Sequence, residues 1–395
     1  GGIDNSGALT LTDCDVTGNI SGNHGGGIYN SGAGSTLTII NGSVTNNSAA
    51  MEGGGIGIIG GTAVSLQNVT ISGNHCEGSA SGTGGGGLYI QSAAVTLNQV
   101  TVANNSTKAT FGGAGIRITS GTLHLENSII ASNANVATTS TAIDVAGVIT
   151  TRAGVNFFGS IAGTSNPGTP GVDYLSGEPL LSPLGYYGGL TQTMHPLVGS
   201  PVIDPVGTTN PGGTDQRGFN RLTGATVDIG AVEVGPVALV TSTGDGAGTA
   251  GTLRNAIANA AVPGTVIRFA ASFDGEVGDR INTASVLALL AGQAIFLDAS
   301  DRPGGVTVAG TGGSGLFKVN SGGALAAHSL TVTGGSSGAD SGGLFNDGGT
   351  LTLNNSTVTD NTGSVGGGIQ CLKGALTLTN TTVSNNNGTF QTGGL

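Results

Sequence analysis

The chain has 395 residues, 77 of them Gly and none Trp, and only 8% are charged. So much glycine without a Gly-X-Y period excludes collagen, and a mean hydropathy of +0.18 argues against a solvated disordered tract. The net charge of −11, from 22 acids against 11 bases, argues against nucleic acid as a partner. No apolar run reaches membrane-spanning length, since the longest, Val286 to Leu297, is interrupted by Gly292 and Gln293.

From the first residues a ten-residue phrase recurs and closes on asparagine. Leu9-Thr10-Leu11 leads to Val16 and Asn19, and equivalent positions follow at Leu37/Val44/Asn47, Val64/Ile71/Asn74, Val95/Val102/Asn105 and Leu123/Ile130/Asn133. Far downstream the phrase resumes at Leu351/Val358/Asn361 and Leu376/Val383/Asn386. Short strands that keep one polar residue at one corner are expected of a chain wound into parallel rungs. A side-chain amide there can donate to one neighbouring rung and accept from the other, so these asparagines are expected to form a structural ladder.

Each repeat opens on a glycine corner, as in Gly25-Gly26-Gly27-Ile28-Tyr29 or Gly53-Gly54-Gly55-Ile56. The alternation of Leu9-Thr10-Leu11 places leucines inside and threonine outside. Two residues after the second apolar position stands another polar column, Asp13, Asn41, Asn68, Gln99, Asn127, Asn355 and Asn380. It predicts a second bend whose backbone groups need partners in every rung. Cys14, Cys76 and Cys371 lack metal-ligand spacing, and Cys14 reads as a small buried thiol in its column. The histidines show no zinc pattern, although His24 and His75, in the loops after Asn19 and Asn74, are placed where they could stack. The rung acids are scattered over different corners, and nothing sets two carboxylates about a glycosidic bond.

With its Gly-Gly-Gly-Ile-Tyr-Asn-Ser-Gly corner, Leu-Thr-Leu strand and Val-Thr-Xaa-Asn close, the repeat resembles the right-handed parallel β-helix repeats of bacterial surface proteins. These include polymorphic outer-membrane protein repeats and the wider pectin-lyase-like fold. The resemblance covers residues 1–135 and about 305–395. It implies an all-β, right-handed parallel β-helix, a fold that carries both enzymes and inert shafts.

After about Ala137 the phrase stops and most of the chain's 11 prolines gather. Leu180-Leu181-Ser182-Pro183-Leu184, Gly188-Gly189-Leu190-Thr191-Gln192 and Asp228-Ile229-Gly230-Ala231-Val232-Glu233 resemble a choice-of-anchor Q module, which in its family follows β-helix repeats. Tyr187 departs from the Asn usual there. The charges Asp204, Asp215, Arg217, Arg221, Asp228 and Glu233 cluster in this segment. They read as a buried Arg–carboxylate network pinning an irregular cap, in preference to an acid/base site.

Beyond Gly235, Leu253, Ala256, Ile257, Ala260 and Ala261 fall on one helical stripe, with Thr252 as cap and Pro263-Gly264 as stop. Thr252-Leu253-Arg254-Asn255-Ala256-Ile257 resembles the Ser-Leu-Arg-Gln-Ala-Ile leader of such β-helices, which implies a helix shielding the first rung. Val266–Phe269, Ala294–Leu297 and Val306–Val308 read as wide early rungs. A weak rung follows with Leu325, Ala327 and Val332, where Ser329 and Gly335 replace the corner amides.

The expected order is therefore rungs over 1–136, an irregular closing module over 137–235, a cap over 236–304 with a helix at 252–261, and rungs over 305–395. Gly393-Gly394-Leu395 repeats the corner Gly1-Gly2-Ile3, and no Met start or signal peptide precedes the first repeat, so the chain reads as a piece of a tandem array. The expected function is structural, an extracellular or cell-surface filament whose partners are copies of itself or adjacent units, with surface glycans a second class. No catalytic, cofactor or metal residue is assigned. The rival reading is a polysaccharide-binding, lyase or hydrolase β-helix.

Overall fold

A computed structural model of the chain describes residues 1–61, 63–79, 83–109, 112–136, 143–274 and 280–390. The sequence-expected tail corner Gly393-Gly394-Leu395 lies outside them. The chain is an all-β parallel solenoid of about 13 turns with one short helix. It divides into two units, the first comprising residues 1–184 and 189–233, the second 185–188 and 234–395.

In the first unit the rungs stack into three parallel sheets of seven, eleven and five strands. One sheet stacks Ile3–Asn5, Ile28–Ser31, Ile56–Ile59, Leu88–Gln91, Ile116–Ile118, Val145–Val148 and Thr164–Ser165. A second carries the Leu and Val strands, merged in Ala63–Ser72 and Ala93–Ala103. The third is a narrow corner sheet running from Ile20–Ser21 to Ala134–Asn135. Register follows the repeat: Val64 pairs with Leu37 on one side and Val95 on the other, and Ile71 with Val44 and Val102. These inward columns form one core in which Leu37, Leu66, Leu97 and Leu125 are fully buried. Each such burial contributes roughly 1.5–3 kcal/mol.

The corners explain why the repeat is so polar and glycine-rich. The second amide column is left-handed in every rung, with φ of 51° at Asp13, 53° at Asn41, 54° at Asn68 and Gln99, and 43° at Asn127. Asn and Asp tolerate this region better than most residues, so the column is selected for backbone conformation more than for stacking. Within it Asn68 Nδ2 donates to Asn41 Oδ1 at 3.1 Å. In Gly53-Gly54-Gly55 each glycine has its own reason. Gly53 sits at φ 66°, a Cβ on Gly54 would meet backbone at 2.4 Å, and one on Gly55 would meet Gly87 O at 2.7 Å and the Asn74 amide at 3.0 Å.

Two departures from the sequence expectation concern residues 137–235. Parallel pairing does not stop near residue 136: Val145–Val148, Thr151–Ala153, Asn156–Phe158 and Tyr174–Ser176 continue the sheets. Here Thr151–Ala153 stands in register with the Leu-Xaa-Leu strand, with Arg152 opposite Leu125, and the interior is filled by Ile149, Phe158 and Tyr174, which hides the rungs from a pattern search. The remainder, 189–233, does not close the end of the coil but lies along its flank. It covers the outward column Asp15, Ser43, Thr70, Thr101, Ile129 and Phe157. Gln192 N donates to Asp15, Thr70 Oγ1 donates to Gln216 Oε1 at 2.7 Å, and Ala231 N donates to Thr101 Oγ1 at 3.0 Å. Farther along, Val202 and Ile229 bury against Ile129, Val155 and Phe157 in a second small core.

The second unit repeats the plan with sheets of eight, five and three strands. The helix is Leu253–Asn259, shorter than the expected 252–261, because Ala260 already leaves helical geometry. Thr252 Oγ1 accepts from Asn255 N at 3.2 Å, and Leu253, Ile257 and Ala260 bury against Val240, Ile267 and Phe269 at the start of the coil. Arg254 pins it by binding Asp245 at 2.7 Å and Val286 O at 2.8 Å. Residues 185–188 belong to this unit: the Tyr187 ring meets Phe296 edge-on at 5.2 Å, and its hydroxyl accepts from Asn354 Nδ2. In the weak rung Ser329 occupies the left-handed corner at φ 57°, and Gly335 N donates to Asn361 Oδ1 at 2.9 Å in the absent amide's place.

Candidate functional site

The ladder residues come together as one column in each unit. Asn19 Nδ2 donates to Asn47 Oδ1 at 3.0 Å, Asn47 to Asn74 at 3.0 Å, Asn74 to Asn105 at 2.9 Å and Asn105 to Asn133 at 3.0 Å. In the second unit Asn361 donates to Asn386 at 3.0 Å. Backbone N–H groups run alongside, as when Asn47 N donates to Asn74 Oδ1 and Asn74 N to Asn105 Oδ1, each at 3.0 Å. The second Nδ2 hydrogen reaches a carbonyl of the preceding rung, Val44 O for Asn74 at 2.8 Å and Ile71 O for Asn105 at 2.9 Å. An interior asparagine therefore uses both amide hydrogens and both oxygen lone pairs, which is what its burial demands. Asn74 and Asn105 are indeed fully buried. The asparagine-to-asparagine bonds all point the same way, from lower to higher residue number.

The ladder of the first unit ends on a residue that the sequence reading missed. Asp144 Oδ1 accepts from Asn133 Nδ2 at 2.8 Å and from Asn133 N at 3.1 Å, and Oδ2 accepts from Ser160 N at 2.7 Å. It takes the place of a sixth amide, only 11 residues after Asn133 instead of the 27 to 31 that separate the others. Burial, aided by the charge of Glu178, raises its carboxyl to about 6 despite the three donors.

The charge cluster lies in the flanking segment. Asp215 is its hub: Oδ2 accepts from Arg217 Nε at 2.9 Å and Glu233 N at 3.0 Å, and Oδ1 from Arg217 N at 2.8 Å and Phe219 N at 3.1 Å. Arg217 also donates to Glu233 O. Asp228 accepts from Asp204 N at 2.7 Å, while Glu233 accepts from Asp228 N at 2.9 Å and Thr223 N at 3.2 Å. Among the described residues Arg221 is the largest fully buried side chain. It donates to Gly230 O at 3.0 Å and, across to the coil, to Asn68 Oδ1 at 2.6 Å. Asp204 remains exposed and caps Thr226 N at 3.0 Å. Burial, then the neighbouring Asp228 charge, raises Glu233 to about 8. Burial lowers the Arg221 pKa, opposed first by Asp215. Carboxylates committed to backbone N–H groups in this way fasten a segment. They are not placed to carry a proton to a substrate.

The remaining polar residues of the sequence reading are dispersed. His24 pairs with Glu52 and stacks on Tyr29 at 5.6 Å, whereas His75 belongs to a different column beside Ser48 and Ser106. Of the cysteines only Cys76 is fully buried. Cys14, expected inside, is half-buried on the first rung, and Cys371 is exposed. Among the described residues no group of three or more His, Cys, Asp or Glu is arranged to hold a metal ion, and no helix is long and apolar enough to cross a membrane. Comparison with protein-family models finds no match to the chain, and comparison with curated proteins finds none either.

Proposed function

We propose that this chain is a load-bearing segment of an extracellular or cell-surface filament, a shaft of stacked parallel rungs akin to bacterial β-helix surface proteins and the pectin-lyase-like fold. The observation that carries this reading is the fully satisfied, unidirectional asparagine ladder. Each asparagine rung presents donors to one neighbour and an acceptor to the other, so an asparagine rung added in register extends the same bonds. The natural partner for such a face is another copy of the coil or the adjacent unit of a longer array. The flanking segment suits the same purpose: its buried Arg–carboxylate clasp fixes an otherwise irregular stretch to the coil wall without catalytic geometry. Electron microscopy of the purified chain over a range of concentrations tests the reading. Rods that lengthen with concentration are expected. Dispersed particles of constant size at every concentration, together with binding or cleavage of an acidic polysaccharide, would favour the carbohydrate reading instead.

A further inference from the structure

One polar cluster of the first unit has no part in the shaft. His75 and Ser106 occupy the same column of the corner sheet, one rung apart, with 2.8 Å between Nδ1 and Oγ. On the other side of the ring, Nε2 lies 3.2 Å from Glu77 Oε1, and Glu77 Oε2 is 2.5 Å from Lys108 Nζ. The hydrogen bond from Lys108 draws the Glu77 carboxyl below its usual range. A carboxylate at Nε2 keeps the ring proton on that nitrogen, which leaves the Nδ1 lone pair to accept the Ser106 O–H. The His75 side chain is 25% exposed and that of Glu77 48%, so the group is open to small solutes.

We propose that Ser106 is a nucleophile activated by His75, with Glu77 as its positioning residue, and that this corner hydrolyses small activated esters at the surface of the coil. The roles are those of a Ser-His-acid triad with the two ring nitrogens exchanged. Ser106 Oγ forms a bond to the acyl carbon as its proton passes to His75 Nδ1. The carbon–oxygen bond to the leaving group then breaks, and the leaving oxygen takes that proton. Water repeats the attack with His75 again as base, releasing the acid and restoring Ser106, so that one ester and one water give one acid and one alcohol. Lys108, two residues beyond Ser106, is bound to Glu77 and holds that carboxylate against the far side of the ring.

The column contains its own control. Ser48 lies on the opposite side of His75 in the same register and is half-buried like Ser106, but it is not bonded to the imidazole ring. The full chain is treated with a fluorophosphonate, in which the serine oxygen displaces fluoride from phosphorus, and the adduct is mapped by mass spectrometry. Turnover of p-nitrophenyl acetate is measured in parallel. Labelling at Ser106 and not at Ser48 is expected, with both activities absent in Ser106→Ala. His75→Gln is expected to slow labelling on the order of 100-fold, in line with general-base contributions. Glu77→Gln is expected to lower kcat with little change in KM, with circular dichroism unchanged in all three variants. Equal labelling of Ser48 and Ser106, an unchanged rate in His75→Gln, or ester turnover no greater than that of Ser106→Ala would overturn the proposal.

Discussion

Replacing Asn74 by Ala removes the middle of the ladder and is the sharpest test of what holds the rungs together. The substitution deletes an acceptor used by both Asn47 N and Asn47 Nδ2, and a donor used by Asn105 Oδ1 and Val44 O. Asn105 Oδ1 keeps the backbone donor of residue 74, and a carbonyl that loses one of its partners suffers less than an orphaned donor. The two donors of Asn47 are the serious loss, because that residue is only 1% exposed. At about 1–3 kcal/mol for each buried group left unsatisfied, the expected destabilisation is about 3–5 kcal/mol, near the upper end for single substitutions. Thr96→Ala is the matched control. It lies on the outward face of the next rung, paired to Ser65 and His124, and should change stability by less than about 0.5 kcal/mol. Guanidinium unfolding followed by far-ultraviolet circular dichroism gives both midpoints under one protocol. If Asn74→Ala falls within about 1 kcal/mol of Thr96→Ala, the amides are ornaments on a coil held by its apolar columns alone, and the ladder argument is refuted.

Three further outcomes follow from the same geometry. Gly55→Ala, whose Cβ would meet Gly87 O at 2.7 Å, should cost about 1–3 kcal/mol, whereas Gly22→Ala, with nothing within 4 Å, should be nearly silent in the same unfolding assay. Arg221→Met removes one of the two guanidiniums near the buried carboxylates and leaves Asn68 Oδ1 without its donor, so a loss of about 3–5 kcal/mol is expected, with limited proteolysis cutting first within 189–233. Because the Glu233 and Asp144 carboxyls are raised to about 8 and about 6, the folded chain holds protons that the unfolded chain releases. That stabilisation is full below about pH 4 and is lost as pH rises through 6 and then 8. Melting temperature should therefore climb from pH 8.5 to pH 5, and Glu233→Gln should flatten the upper part of that climb; a melting temperature that falls on acidification through this range contradicts it.

The parts of the fold that were legible in the sequence are those where one backbone need recurs. Left-handed corners admit few residues, so Asn, Asp and Gly mark most of them from Asp13 to Asn380, with Gln99 and Ser329 departing from the pattern. The same economy exposed the ladder residues and the inward leucines, and the capping helix stood out through its stripe of Leu253 and Ile257. Legibility failed where rung length changed or a column switched chemistry. The rungs after residue 143 use Phe158 where earlier ones use Val and Ile, and Asp144 replaces an amide out of phase. A usable signal was present, however. The outward column that begins Asp15, Ser43, Thr70 and Thr101 turns to Ile129 and Phe157, and apolar side chains on an outer face require a cover. The cluster at Ser106 gave no sign, because His75, Glu77, Ser106 and Lys108 are brought together by a 31-residue rung that no local motif describes.

In-register stacking is most directly tested by distances between spin labels placed down one outward column, in a background with Cys14, Cys76 and Cys371 replaced by Ser. Thr10, Thr38, Ser65, Thr96, His124 and Thr151 are successive members. Labels at Thr10 and His124 span four steps, about 19 Å at about 4.8 Å per rung before allowance for the label arms, and moving the second label to Thr151 should add about 5 Å. A separation that does not grow from the first pair to the second, or that exceeds the first value several-fold, would contradict a coil of parallel rungs.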